Sequence, residues 1–212
     1  GEALAAKQQL VRALQRSEAS LEQRVAQRTD ELELANAHLR ESERQLQALA
    51  HTDTLTGLAN RLLFDARLQQ SMQQARRNRG RIALLLVDLD HFKTINDGYG
   101  RAIGDEVLRC TAERLRASVR EVDTVARLGG DEFSIVLTGL GGGADTERMA
   151  EKIIAKLCEP MRLLGLPLEI SVSIGVAPFS SGDLSPSALM HRADKALQLA
   201  RRAGPGCYRV FA

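Results

Sequence analysis

The chain has 212 residues, which suffices for one domain with an extension or for two small domains. Hydrophobic residues make up 44% and charged residues 26%, as in an ordinary folded protein, and the formal net charge of +2 is too balanced for a protein that coats nucleic acid. Aromatic residues contribute only 3%, with no Trp, which disfavours a platform for stacking single-stranded nucleic acid.

Residues 1–51 are predicted to form one long helix, because they contain no Pro, no Gly after Gly1, and many helix-forming residues. Two sets of positions at heptad spacing run along this segment, and ten of their fourteen members are apolar. The sets are Leu4, Val11, Glu18, Val25, Leu32, Leu39, Leu46 and Lys7, Leu14, Leu21, Arg28, Ala35, Ser42, Leu49. The pattern predicts a dimeric coiled coil with polar interruptions at Glu18, Arg28 and Ser42; a single helix packed on its own domain is the alternative.

From residue 52 onward, helical and strand patterns alternate. Helices are predicted at 62–79, 91–98, 103–119, 144–158 and 185–203, and strands at 81–88, 124–128, 133–137, 168–177 and 208–211. Strands that alternate with helices, together with one tight hairpin, predict an α/β fold with a mixed central β-sheet flanked by helices. We therefore expect two domains, a coiled-coil helix at 1–51 and an α/β domain at 52–212.

Cysteine spacing bears on the compartment of this domain. Cys110, Cys158 and Cys207 stand far apart and form no C-x-x-C pair, which disfavours disulfides or a zinc site and fits a reducing cytoplasm. The longest aliphatic run, 82–87, is too short to span a bilayer, which takes about 20 residues. We expect a cytoplasmic domain, and an inner-membrane anchor elsewhere in a parent protein stays an open alternative.

The predicted hairpin carries an acidic pair directly after its glycines. Gly129 and Gly130 supply the positive φ values that a tight turn requires, but a turn does not require Asp131 and Glu132. Alone, the motif is a weak signal and is better interpreted as an ordinary solvated turn.

A second acidic cluster, Asp88-Leu89-Asp90, ends the aliphatic strand. Ligands of α/β sheets bind at the carboxyl ends of strands. Carboxylates on two neighbouring strands can share Mg²⁺, as in two-metal phosphoryl transfer. Without the hairpin, Asp88 would be read as a former of a strand-end turn.

Three further polar residues follow the strand. Lys93 opens a short predicted helix, where its charge and the free backbone N–H groups suit a phosphate. Asn96 and Asp105 offer an amide and a carboxylate, which match the N1–H, N2–H₂ and O6 groups of guanine, whereas adenine has no N1–H. The alternative is that Asn96-Asp97-Gly98 merely ends the helix.

Together these motifs closely resemble the GGDEF family of diguanylate cyclases. The resemblance covers residue 52 to the C-terminus, in family order and spacing, and rests on the stretches 53–61, 88–93, 96–97, 104–105, 127–133 and 171–177. It implies a fold similar to the palm of nucleotide polymerases and class III nucleotidyl cyclases. It also implies an activity in which two GTP molecules, one in each subunit of a homodimer, condense into cyclic di-GMP.

The resemblance further implies roles for individual residues. Asp88, the Leu89 backbone carbonyl and Asp131 would hold Mg²⁺ or Mn²⁺, and Glu132 would complete the metal site or help to deprotonate the attacking 3′-hydroxyl. For the substrate, the implied contacts are guanine at Asn96 and Asp105 and the triphosphate at Phe92, Lys93 and Arg201. Residues 1–51 are similar to linkers that join an upstream sensor domain to such cyclases.

A product-inhibition motif is also implied by the resemblance. Arg120 and Asp123 form the Arg-x-x-Asp pattern five residues before the first motif glycine, and such a pair can bind guanine of cyclic di-GMP. The second arginine expected at this site aligns with Lys152, which cannot bind bidentately, although Arg148 lies one turn earlier. The alternative is a solvated charge pair at a helix end.

Other positions depart from the family pattern. Arg101 stands where His is usual, Arg201 where Lys is usual, and Pro205 where an Arg normally contacts the triphosphate. Pro205 favours a rival hypothesis, a catalytically silent domain that binds GTP or cyclic di-GMP as a receptor. A purely structural dimerisation module would leave the acidic hairpin unexplained, and Asp105 disfavours a cyclase that uses ATP.

Overall fold

The computed structural model of the chain describes Arg24 and residues 27–29, 32–38, 50–179 and 185–211. The chain divides into two compact units, Gly1–Ala48 and Leu49–Ala212. In the first unit the described residues are helical and exposed. Most of the predicted heptad positions, with Glu18 and Ser42 among them, lie outside the described residues, and the predicted coiled coil stays a prediction.

The second unit is a mixed α/β fold, which confirms the predicted fold class. Its helices are α1 (Arg61–Asn78), α2 (Phe92–Tyr99), α3 (Arg101–Ser118), α4 (Gly143–Leu157) and α5 (Pro186–Ala203). Its strands are β1 (Ala83–Leu89), β2 (Thr124–Gly129), β3 (Glu132–Leu137), β4 (Met161–Leu163), β5 (Leu166–Leu168), β6 (Val172–Pro178) and β7 (Tyr208–Val210).

The five-stranded sheet has the order β2-β3-β1-β6-β7. Strand β1 is antiparallel to both of its neighbours, β3 and β6, whereas β7 runs parallel to β6. Every residue of β1 is buried, because this central strand has helices on both faces of the sheet. The carboxyl end of β1 therefore meets the start of β3 at one edge.

Alternating side chains of the strands feed two apolar clusters. Leu85 and Val87 face the cluster that contains α3 and α4, whereas Leu84 and Leu86 face the one that contains α1 and α5. Strand side chains alternate between faces with a period of two, so Asp88 belongs to the α1 and α5 face.

Gly175 allows α5 to pack directly on β6. A Cβ atom at this position would overlap the backbone oxygen of Ala193 and the backbone nitrogen of Leu197. Helix α5 begins after Ser185, whose hydroxyl accepts a hydrogen bond from the Ala188 N–H, and Pro186 occupies its first turn. The helix is thereby fixed over the centre of the sheet. None of the described helices is long and apolar enough to cross a membrane.

The prediction of one strand over 168–177 was wrong. Leu168 pairs with Met161 in a separate hairpin, β4–β5, whereas Val172 pairs with Leu89 in the main sheet. Leu164 and Gly165, at φ 48° and 86°, form the turn of that hairpin. Both strands alternate in hydrophobicity, so the pattern alone joins two strands that belong to different sheets.

Candidate active site

The three predicted acidic residues lie where β1 ends and β3 begins. Asp88 lies directly opposite Glu132 in the antiparallel register of the two strands. The backbone N–H of Leu89 donates to the backbone oxygen of Asp131 at 3.4 Å, which joins the hairpin turn to β1. Asp88 is buried and Asp131 half-buried, while Glu132 is exposed. Residues that lie far apart in the sequence therefore form one acidic edge.

Asp88 is held by a cation from α5. The guanidinium of Arg201 donates through Nε to Asp88 Oδ1 at 3.1 Å, and its Nη2 forms an ion pair with Oδ2. Burial raises the pKa of the Asp88 carboxyl; Arg201 opposes this shift, and the negative charges of Asp131 and Glu132 add to it. Sequence reasoning assigned Arg201 to phosphate, and nothing in the sequence indicates its pairing with a carboxylate 113 residues away.

The chemistry of this edge suits a divalent cation. Among the described residues, no group of three or more His, Cys, Asp or Glu side chains is gathered at metal-ligand spacing. The donors nevertheless fit a cation. The negative charges of Asp131 and Glu132 act on the Asp88 carboxylate, which already pairs with the positive side chain of Arg201. Hard cations such as Mg²⁺ prefer oxygen ligands of this kind.

Asp90, the other acidic residue of the predicted cluster, accepts hydrogen bonds from the protein through both of its carboxylate oxygens. Its Oδ1 accepts from the Ser173 hydroxyl at 2.7 Å, and its Oδ2 accepts from the Gly206 N–H at 3.0 Å. Asp90 thus ties the end of β1 to β6 and to the loop after α5. This loop contains Pro205 and follows the turn that carries Arg201.

Helix α2 presents an uncapped start beside the acidic edge. His91 precedes it in a left-handed conformation, φ 57°, and makes no side-chain hydrogen bond to the helix N–H groups. Lys93 is exposed in the first turn. Phe92, in contrast, belongs to the apolar core, so a contact with phosphate at this position falls to its backbone N–H.

Asn96 and Asp105 lie close to each other although they belong to different helices. A Cβ atom at Gly104 would overlap Asn96 Oδ1, so the Asn96 side chain lies directly over the residue that precedes Asp105. Only glycine permits this contact between α2 and α3. Asn96 is half-buried and Asp105 is exposed, so both side chains are at least partly accessible to a ligand.

Arg127 braces the hairpin, a function that the sequence did not reveal. Its Nε and Nη2 donate to the Gly130 oxygen at 3.0 and 2.7 Å, and its Nη1 reaches Asp53 Oδ1 at 3.1 Å. Burial disfavours the Asp53 charge most strongly, but hydrogen bonds from Thr56 and Arg127 outweigh it, so the pKa of Asp53 is lowered. The turn at 53–56 and the acidic hairpin are therefore one connected unit.

The residues predicted to bind product line a single cavity of about 300 Å³: Arg120, Asp123, Arg148 and Lys152. Asp123 Oδ1 accepts from the Thr138 N–H at 2.9 Å, and its Oδ2 accepts from the Arg120 N–H at 3.0 Å. Lys152 Nζ donates to the Ser118 oxygen at 2.9 Å, at the end of α3. The cavity therefore offers exposed arginines beside an anchored carboxylate.

Comparisons with known proteins identify the family of the chain. The model of the family "Diguanylate cyclase, GGDEF domain" matches residues 50–207. The chain therefore belongs to the GGDEF family.

Named relatives include two proteins of Pseudomonas aeruginosa (strain PAO1). Diguanylate cyclase TpbB is 43% identical over 182 residues, which cover 85% of this chain and 42% of TpbB. The bifunctional diguanylate cyclase/cyclic di-GMP phosphodiesterase MucR is 41% identical over 191 residues, which cover 90% of this chain and 27% of MucR. The chain thus spans less than half the length of these relatives.

Solved structures show the same fold. The GGDEF domain of TpbB from Pseudomonas aeruginosa matches with a TM-score of 0.74 at 44% identity, over 76% of this chain and 95% of that chain. The coiled coil and GGDEF domain of DgcB from Caulobacter crescentus, in complex with c-di-GMP, matches with a TM-score of 0.79 at 32% identity. That match covers 90% of this chain and 99% of the DgcB chain.

Proposed function

We propose that this protein condenses two GTP molecules into cyclic di-GMP and two pyrophosphates, with Mg²⁺ or Mn²⁺, as a homodimer. The observation that carries the proposal is the acidic edge of Asp88, Asp131 and Glu132 beside the uncapped start of α2. Phosphoryl transfer depends on positioning and on electrostatic stabilisation, which such an arrangement supplies.

One group of residues in the proposed site binds the guanine base of GTP, and another group binds its triphosphate. Asn96 and Asp105 receive the guanine edge, because an amide and a carboxylate together match its donors and acceptor. Lys93, the N–H groups at the start of α2, and Arg201 hold the triphosphate. The 3′-hydroxyl of each GTP then attacks the α-phosphorus of the other, so that two P–O bonds form and two pyrophosphates leave.

Asp88, the Leu89 carbonyl and Asp131 would hold the divalent cation, which neutralises charge on the phosphoryl oxygens when it is bound. Glu132, which is exposed at the start of β3, stands free to complete that set or to accept the proton of the 3′-hydroxyl. One subunit provides one half of the reaction centre, so two domains must face each other. The predicted coiled coil of 1–51 would bring them together.

We further propose product inhibition through Arg120 and Asp123. The cavity that these residues share with Arg148 and Lys152 suits an anionic dinucleotide, because three cationic side chains line it together with a carboxylate that can accept guanine donors. An accumulating product would then slow its own synthesis.

The test is incubation of the purified chain with GTP and Mg²⁺, followed by chromatographic separation of the products. We expect cyclic di-GMP from GTP and none from ATP, and no product when both Asp131 and Glu132 are replaced by alanine. Absence of cyclic di-GMP with the unmodified chain, under conditions where it is folded and dimeric, would reject the proposal.

A second candidate is a silent domain that binds GTP or cyclic di-GMP as a receptor. Pro205, which stands in the place of a phosphate-binding arginine, favours it. The same assay separates the two candidates, because a receptor would bind a fluorescent GTP analogue or cyclic di-GMP without making product.

A further inference from the structure

The pairing of Asp88 with Arg201 leaves the proposed metal ligand already engaged. Both carboxylate oxygens face the guanidinium: Nε donates to Oδ1 at 3.1 Å, and Nη2 pairs with Oδ2. The Asp88 side chain is 11% exposed, so few waters can compete with this partner. A two-point contact between guanidinium and carboxylate is stronger and more directional than a single charged contact.

A divalent cation that binds Asp88 in this arrangement would lie beside the guanidinium of Arg201. A metal at these oxygens would lie within a few ångströms of a positive charge, and like charges at that separation repel. The two cations must therefore compete for the same carboxylate.

Arg201 has the freedom to move away. Its side chain is 43% exposed, and it occupies the last turn of α5, just before Gly204 at φ 119°. A triphosphate would give the guanidinium a second anionic partner, which the protein itself does not supply. Without nucleotide, Arg201 therefore pairs with the Asp88 carboxylate. With nucleotide bound, it can pair with the phosphate oxygens instead.

We propose that Arg201 is a built-in counter-ion that keeps divalent cations off Asp88 until GTP draws the guanidinium away. The metal consequently binds together with the nucleotide rather than before it. This inference rests on the proposed function, and it concerns the order of binding at that same site. The usual lysine of the family would hold the carboxylate at a single point, so the arginine strengthens the competition in this chain.

The experiment measures Mn²⁺ binding to the nucleotide-free protein by isothermal titration calorimetry. Arg201→Gln removes the competing cation, so we expect Mn²⁺ to bind about fivefold more tightly than in the wild type, which corresponds to the loss of a modest ion pair. Arg202→Gln is the matched control, since it removes the same charge from the same exposed turn of α5. This variant should bind Mn²⁺ like the wild type.

A second titration includes a non-hydrolysable GTP analogue. We expect the advantage of Arg201→Gln to disappear, because in the wild type the guanidinium has then moved to the phosphates. The Mn²⁺ affinity of Arg201→Lys should lie between those of the wild type and the glutamine variant. This variant replaces Arg201→Gln in the experiment if circular dichroism shows that the glutamine variant is unfolded.

Unchanged or weaker Mn²⁺ binding in Arg201→Gln and Arg201→Lys, without nucleotide, overturns the proposal. So does an equal gain in Arg202→Gln, which would indicate a general charge effect. If the wild type makes cyclic di-GMP but binds Mn²⁺ as tightly as Arg201→Gln does, only the proposed competition between Arg201 and the metal is wrong. If the wild type makes no product and binds no Mn²⁺ even with the analogue, the proposed function itself fails.

Discussion

Glu132 is exposed at the start of β3, where its carboxylate has little to contribute to folding. We expect Glu132→Gln to lower the rate of cyclic di-GMP formation by about 10²–10³-fold, because it removes a charge needed only in the reaction. The melting temperature should stay within a degree or two of the wild type.

Glu113→Gln, on the exposed side of α3, is the control and should keep full activity. A Glu132→Gln enzyme with more than half of the wild-type rate would show that this carboxylate takes no part in the chemistry.

In the proposed site, Asp105 would set the preference for guanine. The unmodified chain should use GTP and not ATP, and Asp105→Asn should weaken GTP binding by about tenfold, since one ionic acceptor of guanine is lost. Competition binding with a fluorescent GTP analogue checks both statements. Equal affinity of the wild type for ATP and GTP would contradict the assignment of this residue.

The ion pair between Asp53 and Arg127 links the turn at 53–56 to the hairpin. Asp53→Asn should lower the free energy of unfolding by about 1–3 kcal/mol near neutral pH, because Arg127 keeps its burial and loses its charged partner. The pKa of Asp53 is below its ordinary value of 3.8 in the folded protein, so the ionised form stabilises the fold.

This contribution is complete above the ordinary pKa of aspartate and is lost as the pH falls through the lower pKa of the folded state. Urea titrations should therefore show a constant difference between wild type and Asp53→Asn above about pH 5, and a narrowing difference below about pH 4. Asp65→Asn, exposed on α1, should show no such trend. A difference that does not depend on pH would mean that the charge of Asp53 is irrelevant.

The cavity lined by Arg120 and Asp123 is the proposed site of product inhibition. Arg120→Ala should give progress curves that no longer bend as cyclic di-GMP accumulates, because the exposed guanidinium at the cavity wall is gone. Lys152→Arg should tighten inhibition, since arginine can bind a base edge at two points whereas lysine cannot.

Arg162→Ala, on the exposed face of β4, is the control for both variants. An unchanged inhibition constant in Arg120→Ala would leave the Arg-x-x-Asp motif without a function in this chain.

The sequence predicted helices and strands well wherever a continuous apolar run, a periodic apolar face or a helix cap marks the element locally. Strand β1 and helix α5 fall within a residue or two of their predicted ends, because burial and capping act locally. The hairpin β4–β5 was missed, since its three-residue strands are too short for a periodic pattern.

The candidate site could be predicted as a set of residues but not as a set of contacts. The motifs named Asp88 and Arg201, yet their pairing depends on how α5 lies across the sheet, and Gly175 controls that packing. The tie from Asp90 to Gly206 is equally non-local. Local patterns contain no information on such distant partners.

In the proposed reaction two catalytic halves meet, so the predicted coiled coil would belong to the mechanism. Its polar positions, Glu18, Arg28 and Ser42, would weaken the predicted helix pairing and leave two arrangements of similar free energy between which an upstream sensor selects. A coupling of about 1–3 kcal/mol would switch the activity strongly. Replacing all three with Leu, Ile or Val should give activity that is constantly high or constantly low, with a raised melting temperature.

The measurement is cyclic di-GMP formation by the triple variant, alone and fused to a working sensor. A matched triple substitution at exposed positions outside the heptad sets controls for stability alone. If the stabilised variant keeps wild-type activity and still responds to the sensor, the helix is a passive tether.

The segment just before α1 is joined by β-bridges to itself and to strand β2 of the hairpin. Thr52 pairs with Ala59, Ala59 pairs with Ala126, and the Asn60 N–H donates to the His51 oxygen at 2.9 Å. For anyone who grafts this domain onto a foreign input module, the graft junction must therefore lie before residue 50. A chimera joined after residue 60 would discard Asp53 and leave Arg127 without its carboxylate partner, so the transplanted hairpin would lose its brace while every residue of the GGDEF motif stayed in place.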